Sequence, residues 1–214
     1  MLVKIKSQIK YCLGDQVDET DLSESDAIWI DMLDLKFSSF VRPPSPLKDW
    51  QIQANVSDFS EFCTKLACTV LFFDGAATGN PGISGAGGIT RNEEGRTVLR
   101  YNWGVGYNTS IQAEALALLQ GLKQLKVLGF KDAAVFGDSQ SIIQTIVTRS
   151  FPSDLRLARL MTRIRTLSKS FQSLKLFHVK RDNNKDANVE ANKAVFLFLG
   201  VLLREGDESW DPIP

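Results

Sequence analysis

Residues 66–203 of this 214-residue chain are expected to fold as an α/β domain on a five-stranded mixed sheet, its first three strands antiparallel, with helices on both faces. Three observations lead there. The run ACTVLFFD, ending at Asp74, is continuously apolar and β-branched, as in a strand covered on both sides. A glycine-rich stretch and a sharp turn then separate two further strand-like runs, as in a meander. From Ser110 onward, helical spacing alternates with short apolar runs, the pattern of strands entered through helices.

Taken in order, GAATGNPGISGAGG (75–88) leads into GGITR, and Asn92–Gly95 makes a turn before TVLRYNW, which has the aromatic and β-branched content of a partner strand. Ser110–Leu128 carries Glu114, Leu118, Gly121 and Leu125 on one helical stripe, and Gly129 stops it. Lys131–Gly137 reads as a second buried strand, and Ser139–Val147 resumes helical spacing through Ile142, Ile143 and Ile146. After Pro152 come a basic amphipathic helix (154–168), a strand (Ser173–Val179) and a last helix (Asn184–Leu199) with Ala187, Ala191, Ala194, Val195 and Phe198 at core spacing. Residues 204–214 read as a loose acidic tail. Residues 1–65 read as an acidic, partly ordered extension ending in a Pro-rich linker (Arg42–Pro46), with one short amphipathic helix suggested by Ile28, Trp29, Met32, Leu33 and Leu35.

The formal net charge of zero hides an asymmetry: residues 1–65 hold 7 Lys+Arg against 11 Asp+Glu, and residues 66–203 hold 17 against 10. Between Arg149 and Arg181 there are nine basic side chains and one acid, Asp154. Such an excess attracts phosphates without regard to sequence, although taken alone it describes a solvated helix face equally well. Three cysteines, Cys12, Cys63 and Cys68, are neither even in number nor spaced as zinc ligands, which excludes a disulfide framework and suits a reducing compartment, nucleus or cytoplasm, or an organelle. No apolar run is long enough for a bilayer, and the start MLVKIKSQIKYCLG lacks the continuous apolar stretch of a secretory signal, so no membrane partner is expected; Lys4, Lys6 and Lys10 with no acid in the first ten residues leave a transit peptide open.

Asp74 and Asp138 stand at the C-terminal ends of the two central strands, and Glu114 lies one turn into the helix after the meander. Singly, each has an ordinary explanation: a helix cap at Asp138, a brace for the glycine turn at Asp74, a first-turn helix acid at Glu114. Together they fall at one edge of the sheet, where strand ends converge and ligands bind. Carboxylates crowded there repel unless a divalent cation neutralises them. Mg²⁺ prefers few carboxylates plus phosphate oxygens and water, the requirement of two-metal phosphodiester hydrolysis.

Four strings in order, DGAATGNPGISGAGGI (74–89), AEALALLQGL (113–122), GDSQSII (137–143) and HVKRDNNKDANVEANKA (178–194), resemble the type 1 ribonuclease H family. Its plant and retroelement-derived branch, with a last motif HVxRxxNxxADxLA, is the most similar. The resemblance implies a ribonuclease H-like fold and a metal site at Asp74, Glu114, Asp138 and a fourth position, which here is Asn188 where the family pattern has aspartate. Two Mg²⁺ ions, or Mn²⁺, are implied. Asp186 and Glu190 lie about 200° round the helix from Asn188 and can replace it only through a register shift. The family's two asparagines before the helix glutamate fall on Ser110 and Ile111, of which only Ser110 can hydrogen-bond. His178 aligns with the strand-end histidine of the plant motif, a structural position.

The implied partner is an RNA/DNA hybrid or another RNA-containing duplex. Expected contacts are Gly75, Asn80 and Gly82 in the glycine loop, Ser110, the Arg156, Arg159 and Arg163 stripe, and Arg181, Asn184 and Lys185 beside the last helix. Two function classes follow: a metal-dependent endonuclease acting on the RNA strand, as a monomer, or a domesticated nucleic-acid-binding or interaction module with little turnover. Three carboxylates argue for the first, and Asn188 with Ile111 for the second.

Overall fold

The computed structural model describes residues 51–52 and 59–206. The short helix expected near Ile28–Leu35 and the Pro-rich linker lie outside the described residues. The elements are β1 (Gln51–Ile52), α1 (Phe59–Lys65), β2 (Thr69–Ala77), β3 (Gly82–Arg91), β4 (Thr97–Asn108), α2 (Ser110–Val127), β5 (Asp132–Gly137), α3 (Gln140–Val147), α4 (Leu155–Ser168), β6 (Ser173–His178), a 3₁₀ turn (Arg181–Asn183), α5 (Lys185–Ala194) and β7 (Leu202–Gly206). They build one sheet in the order β1-β6-β5-β2-β3-β4-β7. The five expected strands form its centre: β2, β3 and β4 pair antiparallel, and β5 and β6 join in parallel.

Each edge gains a short strand. β1 pairs in parallel with β6, and β7 pairs antiparallel with β4. The sheet therefore extends beyond the expected 66–203 span at both ends, and the chain at 204–206 is paired strand, not loose tail. The last helix also stops at Ala194 and not near Leu199. Gly104 explains the early end: its N–H donates to Val201 and its carbonyl accepts from Gly200, which draws the chain onto the sheet. Phe198, assigned to the core stripe, is 87% exposed.

Alternation along β2 sends side chains to two cores. Leu71 and Phe73 face α2, α3 and α4, packing with Leu118, Leu122, Ile142 and Met161. Val70 and Phe72 face α1 and α5, in a cluster with Phe136, Phe177 and Ala187. Phe72, Phe136 and Phe177 stack across three adjacent strands at centroid separations of 5.2 and 5.0 Å. Phe59 of α1 meets Phe136 edge-on at 5.2 Å, and Phe62 meets Phe177 the same way at 5.6 Å. Burying one such ring contributes about 2 kcal/mol, which explains why a seven-residue helix with little intrinsic stability is held on this face.

α5 lies almost in contact with the sheet backbone. A side chain at Gly87 would place a Cβ 2.2 Å from the Ala191 nitrogen, so this close approach requires glycine below and alanine above. The helix is anchored by Glu190, only 2% exposed, whose carboxylate accepts from Asn102 (2.7 Å), Lys193 (3.1 Å) and Arg100 (3.2 Å). No described helix is long and apolar enough to cross a membrane.

Candidate metal and nucleic-acid site

Three elements deliver three acids to one point. β2 and β5 run parallel and in register, with Phe72 opposite Phe136, so Asp74 and Asp138 emerge at the same sheet edge. Glu114 arrives from α2, whose start is fixed by a capping box between Thr109 and Gln112 and by Asn80, whose Oδ1 accepts from the Ser110 N–H at 3.0 Å. The helix end presses on β2 at Gly75, where a Cβ would lie 2.2 Å from the Glu114 nitrogen. One carboxylate oxygen from each of Asp74, Glu114 and Asp138 lies within 4.8 Å of the others.

The electrostatics of this cluster favour a cation. Asp74 is 3% exposed, and its carboxyl is pushed up to about 6, first by burial and then by Asp138, against hydrogen bonds from Asn188, Glu114 and the Gly75 N–H. Glu114 rises well above the ordinary carboxylate range, through burial and then the charges of Asp74 and Asp138. Its Oε2 is shielded from solvent and has no hydrogen-bond partner, an unmet acceptor of the sort a hard cation satisfies. The residues present therefore fit a divalent ion held by Asp74, Glu114 and Asp138.

On the other side of Asp74 stand amides. Asn188 donates from Nδ2 to Asp74 Oδ2 at 2.7 Å. Asn184 was expected among the nucleic-acid contacts, but only 1% of it is exposed. Its Nδ2 donates to the Phe73 carbonyl (3.0 Å) and to Asp138 Oδ1 (3.1 Å), so it braces the carboxylates from within and cannot reach a phosphate. His178 places Nε2 3.2 Å from the Asp138 carbonyl oxygen. Asp186 pairs with Arg91, and Glu190 is held by the network under α5, so neither acid faces the cluster.

The remaining expected contacts divide into several groups. Gly75 is a packing position against α2. At Gly82 an added Cβ would sit 2.6 Å from the Thr78 carbonyl oxygen, so it serves the tight β2–β3 turn. Asn80 and Ser110 are joined at the rim. Arg156, Arg159 and Arg163 lie on one stripe of α4, with Arg156 exposed and the other two half-buried. Arg156 reaches the Tyr107 carbonyl at 3.4 Å, which sets the stripe's first member beside the end of β4. Arg181 in the 3₁₀ turn and Lys185, the first residue of α5, are exposed, Lys185 paired with Asp182 at 3.1 Å.

Two side chains have roles that the sequence pattern does not show. Asn184, expected as a phosphate contact, is shown by its burial to serve Asp138 instead. Asn192 donates from Nδ2 both to Asn188 Oδ1 (3.0 Å) and to the Asn188 carbonyl (2.8 Å). Its i, i+4 spacing from Asn188 was the available signal.

A mixed sheet of this order with acids at the ends of its two central strands and one turn into the intervening helix defines a ribonuclease H-like domain. A family profile described as reverse transcriptase-like matches residues 72–194, and the chain belongs to the ribonuclease H-like family. Ribonuclease HI of Halobacterium salinarum is 33% identical over 124 residues, which are 58% of this chain and 62% of that protein. The bifunctional protein Rv2228c of Mycobacterium tuberculosis is 30% identical over 127 residues, 59% of this chain and 35% of its own length. The matches thus span less than two thirds of these relatives. Among solved structures, RNase H1 of Halobacterium salinarum superposes with a TM-score of 0.58 at 32% identity, covering 59% of this chain and 96% of that one. LC11-RNase H1, solved in complex with an RNA/DNA hybrid, gives a TM-score of 0.56 at 25% identity, covering 59% and 96%.

Proposed function

We propose that this chain is a divalent-metal-dependent endonuclease that hydrolyses the RNA strand of an RNA/DNA hybrid. The observation that carries the reading is the convergence of Asp74, Glu114 and Asp138 within 4.8 Å, with an unpartnered buried oxygen on Glu114. Asp74, Glu114 and Asp138 would hold Mg²⁺ or Mn²⁺, two ions in the full reading. When bound, the metal supplies an activated water and charge stabilisation for the leaving oxygen. The chain's own contribution is preorganisation: Asn184 fixes Asp138, the Gly75 N–H fixes Asp74 Oδ1 at 2.8 Å, and the capped start of α2 fixes Glu114. The hybrid would lie across the rim formed by Asn80 and Ser110, with its phosphates toward the α4 stripe and Arg181.

The assay is incubation of the full chain with a labelled RNA/DNA hybrid, with Mg²⁺, with Mn²⁺ and with neither. Cleavage is expected only with metal, and Glu114→Gln should lower its rate by about 10³-fold or more, on the order of 4 kcal/mol. Metal-independent cleavage, or an unimpaired Glu114→Gln enzyme, would end the reading. Replacing Arg156, Arg159 and Arg163 by alanine should weaken binding of the hybrid and flatten its salt dependence, since each lost phosphate contact lowers the slope by about one. An unchanged slope would move the duplex to another face.

One observation favours the binding-module reading: the fourth position presents an N–H to Asp74 in place of a charged ligand. Tight hybrid binding with no cleavage in either metal would select it.

A further inference from the structure

Asn188 has two ends of similar shape and opposite chemistry. Turned one way, its carbonyl oxygen is a neutral ligand for a cation; turned the other way, its NH₂ is a hydrogen-bond donor. In the structure the NH₂ faces Asp74 Oδ2 at 2.7 Å. The oxygen faces away and accepts from Asn192 Nδ2 at 3.0 Å, while the same Nδ2 donates to the Asn188 backbone carbonyl at 2.8 Å. Both hydrogens of one NH₂ group are thus spent on the two oxygens of Asn188.

Reversing the Asn188 amide carries a double cost. Its oxygen would stand against the Asp74 carboxylate, and its NH₂ would stand against the NH₂ of Asn192. Asn192 is exposed, so it accommodates the reversal either by turning its own amide, which gives up its bond to the Asn188 backbone carbonyl, or by releasing Asn188 to water.

We propose that Asn192 is a positioning residue that fixes the Asn188 carboxamide with its NH₂ toward Asp74, so that Asn188 acts on the site as a donor to a carboxylate and not as a metal ligand. The inference rests on the reading of Asp74, Glu114 and Asp138 as an ion site. It makes the site asymmetric: Asp74 meets the carboxylates of Glu114 and Asp138 on one side and an N–H on the side of α5. Asn192 touches no carboxylate of the cluster itself, and its action passes entirely through Asn188.

The test follows the side-chain amide protons of Asn188 by nuclear magnetic resonance in the full chain, together with Mg²⁺ affinity by titration calorimetry. Three proteins are compared: the parent, Asn192→Ala and Asn192→Asp. In the parent, one Asn188 amide proton should be shifted downfield by the charged acceptor and should stay so as Mg²⁺ is added. In Asn192→Asp the new carboxylate accepts and cannot donate, so it should draw the Asn188 NH₂ toward itself, abolish the downfield shift and present the oxygen to the ion. Asn192→Ala removes the lock but leaves the Asp74 carboxylate facing the Asn188 NH₂, so the downfield shift should persist without metal and be lost as Mg²⁺ is added, with Mg²⁺ affinity rising by up to about fivefold.

A parent whose Asn188 amide protons move on Mg²⁺ addition, or an Asn192→Ala protein with the parent's spectrum and affinity, overturns the proposal. A parent that binds no Mg²⁺ at all overturns the ion site together with it. Normal Mg²⁺ binding that is indifferent to Asn192 overturns the positioning role alone.

Discussion

The two helices that close on the strand ends, α2 and α5, are built to opposite plans. α2 brings a carboxylate, Glu114, with an oxygen left unpartnered, and is held there by backbone contact at Gly75 and a double cap. α5 and the residue before it bring amides: Asn184 to Asp138, Asn188 to Asp74, and Asn192 to Asn188. On the α2 side, burial and the charges of Asp74 and Asp138 hold the Glu114 carboxyl well above the ordinary carboxylate range. The α5 side supplies N–H donors that lower the cost of that charge internally. The difference places Glu114, with its unpartnered oxygen, and the amides that donate to Asp74 and Asp138 on different elements of one site, so each can be altered separately.

The strongest way to break this contrast is to move α2. Gly75→Ala would place a methyl group 2.2 Å from the Glu114 nitrogen and 2.3 Å from the Ala113 carbonyl carbon. These are backbone atoms that no rotamer change can relieve. Overpacking of this type costs about 3 kcal/mol or more, and any relaxation lifts Glu114 away from Asp74. Urea unfolding of the metal-free protein should show the loss, and metal affinity should fall with it. A stable Gly75→Ala protein with normal Mg²⁺ binding would mean that α2 is not seated on β2 as described.

A second test isolates the charge carried by the site. The Asp74 carboxyl is raised from 3.8 to about 6, so the folded chain binds a proton that the unfolded chain has released between those values. Its contribution to stability is therefore fully present below pH 4 and lost as pH rises through 6. Asp74→Asn removes the ionisation. Without metal it should match the parent near pH 4 and exceed it above pH 6 by on the order of 2 kcal/mol, read from thermal or urea unfolding across pH. Saturating Mg²⁺ should reverse the ranking above pH 6, because the ion stabilises only the parent. A parent that remains the more stable without metal at pH 7 would show that the amides of α5 already neutralise the site.

The sequence was most informative where chemistry and secondary structure coincide. Acids that end apolar strands are visible as such, and their meeting follows from parallel pairing of β2 with β5. The helix after the meander was also legible, since its stripe runs through Glu114, Leu118 and Leu125. What stayed hidden depends on tertiary placement. α1 is seven residues long, too short for periodicity to register, and it exists because Phe59 and Phe62 find the Phe72–Phe136–Phe177 stack. β1 and β7 are edge strands defined by pairing, with no apolar alternation of their own. Asparagine in a basic turn is ordinarily exposed and suits a phosphate contact; only the fold buries Asn184 against Asp138. The residue type at Asn188 is legible in the sequence; the structure adds which end of its amide faces Asp74.

The finest test converts the α5 side to the plan of the α2 side. Asn188→Asp exchanges the N–H that lies 2.7 Å from Asp74 for a carboxylate oxygen. Without metal this sets two anions side by side and should destabilise the protein, most strongly above pH 6. With Mg²⁺ the added charge should assist, and cleavage of the hybrid should rise, or the Mg²⁺ needed for half-maximal rate should fall, by about tenfold, which corresponds to roughly 1.4 kcal/mol. Asp74→Asn and Asn188→Asp should therefore act in opposite directions on activity, and in opposite directions on metal-free stability. Asn192 remains able to donate to one oxygen of the new carboxylate, so the substitution changes the charge at the site while keeping its orientation. If Asn188→Asp leaves both the rate and the Mg²⁺ requirement of an active parent unchanged, the α5 side takes no part in holding the metal, and Asp74, Glu114 and Asp138 form the whole of the metal site.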